Sequence, residues 1–125
     1  MRFHHIGIAC KDIKQEIPKI AKIHKIINEP EIIHDSEQNA DLCYIETEDS
    51  INIELISGPQ VENILNKNIS FYHVCYEVEN IAAKIGELVG NGAMVVSAPK
   101  PAILFSNKTV AFLLVQYGLI ELIEK

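Results

Sequence analysis

Two histidines and two glutamates recur in this sequence in the same local settings. His5 leads the run His5-Ile6-Gly7-Ile8, and His73 leads His73-Val74-Cys75-Tyr76, 68 residues further on. Ile53-Glu54-Leu55-Ile56 returns as Ile120-Glu121-Leu122-Ile123 after 67 residues. Two echoes at nearly one offset mark an internal duplication. Imidazole nitrogen and carboxylate oxygen suit a divalent ion such as Zn, Ni, Co, Mn or Fe(II). A structural cysteine–zinc site would need thiolates, which the recurring set lacks. Four protein ligands (His5, Glu54, His73 and Glu121) leave two positions of an octahedron open for two adjacent oxygens of a substrate. A metal there acts as a Lewis acid on a carbonyl and acidifies the neighbouring C–H. A carboxylate at its edge, Glu121 or Glu54, is the base that takes the proton.

Taken singly, none of these residues would carry that reading. A lone strand histidine is more often a hydrogen-bonded structural group, and a lone strand glutamate is more often solvated. Recurrence at equivalent places reverses the balance, because a pseudo-twofold axis relating the halves would bring both pairs toward one cleft.

The elements that must position these groups follow from hydrophobic periodicity. Residues 3–9 alternate as a strand, with His5, Gly7 and Ala9 on one face and Ile6, Ile8 and Cys10 on the other. Small neighbours leave room beside the imidazole. Asp12 is placed to cap a helix whose stripe is Ile13, Ile17, Ile20, Ile23 and Ile27, and Pro18 predicts that its regular part begins near Ile17. Strands are predicted at about 31–36, 41–47 and 51–57, separated by polar turns, with Glu54 and Ile56 sharing a face. Gly58-Pro59 closes this half, and residues 59–69 form a connector with at most a short helix. The order then repeats. A strand at 71–78 leads into a helix at about 80–90 capped by Asn80, with Ile81, Ile85, Leu88 and Val89 buried and Gly90 and Gly92 ending it. Strands near 93–97, 109–115 and 118–124 follow, and Pro99 and Pro101 predict a loop or irregular edge between the first two. Each half therefore reads β-α-β-β-β. The expectation is one α+β domain over residues 1–125, with module 1 at about 1–58 and module 2 at about 70–125, and a metal cleft between curved mixed sheets.

Composition narrows the class. The 125 residues are 48% hydrophobic and carry a formal net charge of −6, which argues against a nucleic-acid partner. No apolar run approaches the ~18 residues of a membrane span, and no signal-peptide pattern opens the chain, so a cytoplasmic protein is expected. Lys11, Lys14, Lys19, Lys22 and Lys25 read as a solvated helix face. Cys10, Cys43 and Cys75 lie far apart in apolar surroundings and read as reduced core thiols. His4, His24 and His34 lack counterparts in the other half and read as surface or locally bonded residues. Glu77 shares the His73 face and is a candidate cleft residue; Phe105 and Phe112 read as core. Open sheet edges make a homodimer the expected assembly.

As a set, His5 in His-Ile-Gly-Ile-Ala, Glu54 and Glu121 in Ile-Glu-Leu-Ile, and His73 in Tyr-His-Val-Cys-Tyr-Glu-Val resemble the four ligand positions of the vicinal oxygen chelate superfamily. The resemblance covers essentially the whole chain and implies paired βαβββ modules around a divalent metal. Two branches compete. The opening and the His-Val-Cys-Tyr-Glu-Val block look like methylmalonyl-CoA epimerase, which removes and returns the α-proton of a 2-acyl thioester through an enolate, with Glu121 as ligand and candidate base. The four ligands are equally similar to glyoxalase I (lactoylglutathione lyase), which acts on a hemithioacetal. Ala9 and Gly58 depart from the arginine and asparagine that serve glutathione in bacterial glyoxalases, and the Pro99–Asn107 region is shorter than in the epimerases. A non-catalytic small-molecule binding protein of the same fold and an extradiol dioxygenase are further readings; both fit a complete four-residue ligand set less well. The shared implication is an isomerase or lyase that abstracts a proton beside a chelated carbonyl of a small thioester or hemithioacetal.

Overall fold

The computed structural model describes residues 1–125 as two compact units. The N-terminal unit comprises residues 5–72; the C-terminal unit comprises residues 73–125 together with residues 1–4. Each carries the strand–helix–three-strand order that the duplication implies. The first run is β1 (Arg2–Ala9), α1 (Ile13–Ala21), β2 (Ile32–Asp35), β3 (Ala40–Ile45) and β4 (Ile53–Ser57), followed by the short helix α2 (Glu62–Asn66). The second is β5 (Phe71–Val78), α3 (Ile81–Gly90), β6 (Met94–Ala102), β7 (Lys108–Val115) and β8 (Gly118–Glu124). The α+β class and the two βαβββ modules are as expected.

Sheet topology repeats with the elements. In the N-terminal unit the strand order is β2-β3-β4-β1, and in the C-terminal unit it is β6-β7-β8-β5. The first strand of each module pairs with its last in parallel, and the other neighbours pair antiparallel. A parallel pair needs a crossover, and the helix supplies it. Both crossover helices are N-capped by the predicted side chains. Asp12 accepts from the Lys14 N–H at 3.0 Å, and Asn80 accepts from the Ala83 N–H at 3.0 Å, satisfying amide donors that the helix itself leaves open.

The apolar face of each helix meets one face of its own sheet. In the N-terminal unit Ile13 and Ile20 pack with Cys43, Ile45, Ile53 and Leu55, flanked by Ile6, Ile8 and Ile17. In the C-terminal unit Ile81 packs with Val78, Ala111, Leu113, Ile120 and Leu122, flanked by Ile85 and Leu88. Burying each such side chain contributes about 1.5–3 kcal/mol. The opposite face of each sheet is thereby left for the polar residues of β1, β4, β5 and β8. All three cysteines are free and buried.

Two expectations, the extent of α1 and the burial of Val89, need correction. Helix α1 is regular from Ile13, with Pro18 inside it, rather than from Ile17. It ends at Ala21, where the Lys22 N–H turns back to the Lys19 carbonyl; Ile23 and Ile27 therefore fall off the stripe and are exposed. Val89 is likewise exposed at the end of α3. Of the loop and the irregular edge expected at residues 98–102, the structure shows the irregular edge, as the end of β6. Prolines fit there because β6 is the outer strand of its unit, where a missing N–H interrupts no second ladder. Register shifts between Val95 and Ser97 and between Ser97 and Lys100 take up the irregularity.

Candidate functional site

The polar echoes occupy equivalent register positions. In the N-terminal unit Gly7 lies opposite Glu54 across the parallel β1–β4 pair, and Tyr44 lies opposite Glu54 across the antiparallel β3–β4 pair. In the C-terminal unit Cys75 lies opposite Glu121 in β5–β8, and Phe112 lies opposite it in β7–β8. Each glutamate thus sits between a small residue and an aromatic one. The histidine stands two residues before the small residue, on the same strand face. With little side chain opposite, the carboxylate reaches diagonally to the imidazole.

The structure brings the predicted residues together pairwise. His5 Nε2 lies 3.4 Å from Glu54 Oε1, and His73 Nε2 lies 3.3 Å from Glu121 Oε1. All four residues are buried, both histidines at 0% exposure. A charge-assisted N–H···O bond closes to about 2.7–2.9 Å, so neither contact is a tight ion pair. The spacing instead fits two donors of one metal. Ligands about 2.1 Å from an ion stand about 3.0 Å apart in an octahedron and about 3.4 Å apart in a tetrahedron. Donor chemistry, burial and spacing in each unit therefore suit a divalent ion. Without one, each unit would bury a carboxylate against an imidazole at a cost that such pairs repay poorly.

Sequence reasoning missed the aromatic members. The Tyr44 ring meets the His5 imidazole edge to face at a centroid distance of 5.9 Å, and the Phe112 ring meets His73 in the same way at 5.3 Å. The signal was present, since Tyr44 and Phe112 are also 68 residues apart. It went unread because the two residues differ in type and because Phe112 reads as ordinary core.

Other candidates lie elsewhere. Glu77 lines a cavity of ≈ 420 Å³ with Arg2, Lys84 and Lys125 near the start of α3. Cys10, Lys11, Ser57 and Glu62 line a second of ≈ 420 Å³ at the corresponding end of the N-terminal unit. Burial, with Glu16 and Asp12 adding to it, pushes the Cys10 thiol up to about 12, so it is no nucleophile. His24 pairs with Asp49 at 2.9 Å and His34 with Asp41 at 2.8 Å, while His4 meets Phe105 edge to face.

Residues 4–112 match the family model described as glyoxalase/bleomycin resistance protein/dioxygenase superfamily. The chain belongs to this superfamily. No curated protein matches it. Among solved structures, a hypothetical protein from Bacillus halodurans superposes with a TM-score of 0.78 at 24% identity, covering 99% of this chain and 94% of that one. Methylmalonyl-CoA epimerase from Mycobacterium tuberculosis superposes with a TM-score of 0.80 at 19% identity over 98% of this chain and 87% of its own. A variant methylmalonyl-CoA epimerase from Streptomyces coelicolor, in complex with 2-nitronate-propionyl-CoA, gives 0.76 at 18% identity over 100% and 97%. At these identities the likeness establishes the superfamily fold.

Proposed function

We propose that the two histidine–glutamate pairs serve one divalent metal, and that the protein is an epimerase of a 2-substituted acyl-CoA. The observation that carries this reading is the repetition of one buried contact, Nε2 to Oε1 at 3.3–3.4 Å, in the same register of both modules. His5, Glu54, His73 and Glu121 would hold the ion. When bound, it would polarise a substrate carbonyl and so acidify the adjacent C–H. The protein's own work is then positional and basic. Histidines packed edge to face on Tyr44 and Phe112 are fixed in orientation. Glu121, with Glu54 as its counterpart, takes the α-proton and returns it to either face of the carbanionic carbon. Burial of the pairs keeps bulk water from competing for that proton. The epimerase branch is favoured over the glyoxalase branch by the two methylmalonyl-CoA epimerase neighbours and by Ala9 and Gly58, which offer glutathione no polar side chain. A cytoplasmic homodimer belongs to the same reading, and sedimentation would give its mass.

The test is α-proton exchange in deuterium oxide with metal-analysed protein, followed by NMR. Metal-dependent deuteration of methylmalonyl-CoA without net conversion is the expected result. Conversion of the methylglyoxal–glutathione hemithioacetal to lactoyl thioester, with no exchange of the CoA thioester, would reassign the protein to the glyoxalase branch. Metal-free protein that exchanges equally well would remove the metal from the reaction.

A further inference from the structure

Glu77 has no part in the reading above, and the cavity it lines belongs wholly to the C-terminal unit. This space of ≈ 420 Å³ lies where β5 and β8 end and α3 begins. The backbone there is already bonded. The Lys125 N–H donates to the Val78 carbonyl at 2.9 Å, the Ile81 N–H to Glu124 Oε2 at 2.9 Å, and the Ala83 N–H to Asn80 Oδ1 at 3.0 Å. Recognition in this cavity therefore falls to side chains. Three cationic ones (Arg2, Lys84, Lys125) and three anionic ones (Glu77, Glu79, Glu87) line it. Equal numbers leave no net side-chain charge to draw in a simple anion or a simple cation. Four of the six neutralise one another, Lys84 with Glu87 at 2.8 Å and Lys125 with Glu79 at 3.6 Å. Arg2 and the half-buried Glu77 remain, one charge of each sign, and neither has an ion-pair partner.

We propose that this cavity binds a small zwitterion of the α-amino-acid type, its carboxylate on Arg2 and its ammonium on Glu77. A guanidinium presents a planar fork of N–H donors that matches a carboxylate bidentately. The Glu77 carboxylate only accepts, and an ammonium supplies three donors. A molecule that carries both charges spans the two side chains, whereas a singly charged one satisfies one of them and leaves the other unmatched. Lys84 and Lys125, each held by its own glutamate, compete little for the ligand carboxylate. Val78 and Ala83 give the cavity an apolar wall for an aliphatic side chain, and its volume falls within the roughly 300–1,000 Å³ of small-molecule sites. The site shares no residue with the histidine–glutamate pairs and stands independently of the metal and epimerase readings.

The experiment titrates the full chain calorimetrically, near neutral pH, with three probes: L-leucine, N-acetyl-L-leucine, which keeps only the carboxylate, and L-leucinamide, which keeps only the ammonium. The expected result is saturable binding of L-leucine, with each analogue weaker by about 10- to 100-fold, the effect of losing one hydrogen-bonded charge. Arg2→Gln should lower leucine affinity to that of leucinamide, and Glu77→Gln should lower it to that of N-acetyl-leucine, with thermal midpoints unaltered. Leucine that fails to saturate below about 10 mM, or analogues that bind as tightly as leucine, overturns the proposal on the unsubstituted chain alone. Leucine affinity unchanged in both variants, as chelation by a metal elsewhere would give, also overturns it. Loss in one variant only overturns the two-point contact.

Discussion

The two modules agree at their buried histidine–glutamate pairs and differ at their rims. Both place a histidine on the first strand, a glutamate on the last, and an aromatic ring on the strand beside it, in matching register. Their rims have diverged. The outer strand of the N-terminal unit is the four-residue β2, and that of the C-terminal unit is the nine-residue β6, with two register shifts and two prolines. Helix α1 holds a proline and nine residues; α3 has ten and no proline. The halves thus keep a histidine–glutamate pair and an aromatic neighbour in matching register while their edges differ.

That comparison breaks most sharply at the proposed ligands. Either His5→Ala or His73→Ala should abolish stoichiometric metal retention, measured by elemental analysis after gel filtration, with the fold intact by circular dichroism. Full retention in one of them would mean that the modules do not share a metal. The glutamates give a test with opposite signs. A saturating divalent ion should raise the thermal midpoint of the wild type by roughly 10 °C at about 100 times its Kd. In Glu54→Gln/Glu121→Gln that rise should vanish, while the metal-free midpoint should equal or exceed that of the wild type, because two buried charges are gone.

The cores should respond alike. Leu55 and Leu122 occupy equivalent places and are both fully buried, so each Leu→Ala should cost about 2–5 kcal/mol in denaturant unfolding. Unequal costs would locate the better-packed half. Glycines should split the modules. A side chain at Gly58, at φ +151°, would meet the Asn39 carbonyl oxygen at 2.9 Å and Ala40 Cα at 3.2 Å, so Gly58→Ala should destabilise by more than about 1 kcal/mol. Gly86, in α3, has open space around its Cα, and Gly86→Ala should stabilise by about 0.5–1 kcal/mol.

The smallest effect is electrostatic and belongs to the N-terminal unit alone. The Thr47 hydroxyl, the His24 imidazole and the Ile51 N–H hold the Asp49 carboxyl down at about 2 from an ordinary 3.8. A depressed carboxylate contributes its full stabilisation above the ordinary value and loses it as pH falls through about 2. A carbon-13 NMR titration should place the Asp49 midpoint near 2, and Thr47→Val should move it upward. An unshifted midpoint in the wild type would remove Thr47 and His24 as its partners.

Much of this architecture was legible in the residues, for identifiable reasons. Strands β5 and β8 were bounded by turn chemistry and alternation, and both helix caps were visible as Asp12 and Asn80 before apolar runs. The histidine and glutamate positions were legible because they repeat. What escaped was decided by tertiary context. The exit of the chain from α1 at Ala21 is set by local carbonyl contacts that no periodicity encodes, so Ile23 and Ile27 looked like stripe residues. Pro99 and Pro101 left a loop and an irregular edge both open, because the edge position that accommodates them is a property of the sheet. Tyr44 and Phe112 were hidden because an aromatic ring beside a site histidine is indistinguishable in sequence from one in a core.

The bulged, proline-bearing course of β6 has a consequence for how the protein behaves in a crowded cell. Its N-terminal end carries Met94, Val95 and Val96, all exposed, the composition that elsewhere recruits a second chain into fibrillar β-structure. Displaced register near Ser97, and prolines that donate no N–H at positions 99 and 101, make this strand a poor template. The exposed apolar edge of this unit is thereby blunted as a template by its own backbone geometry.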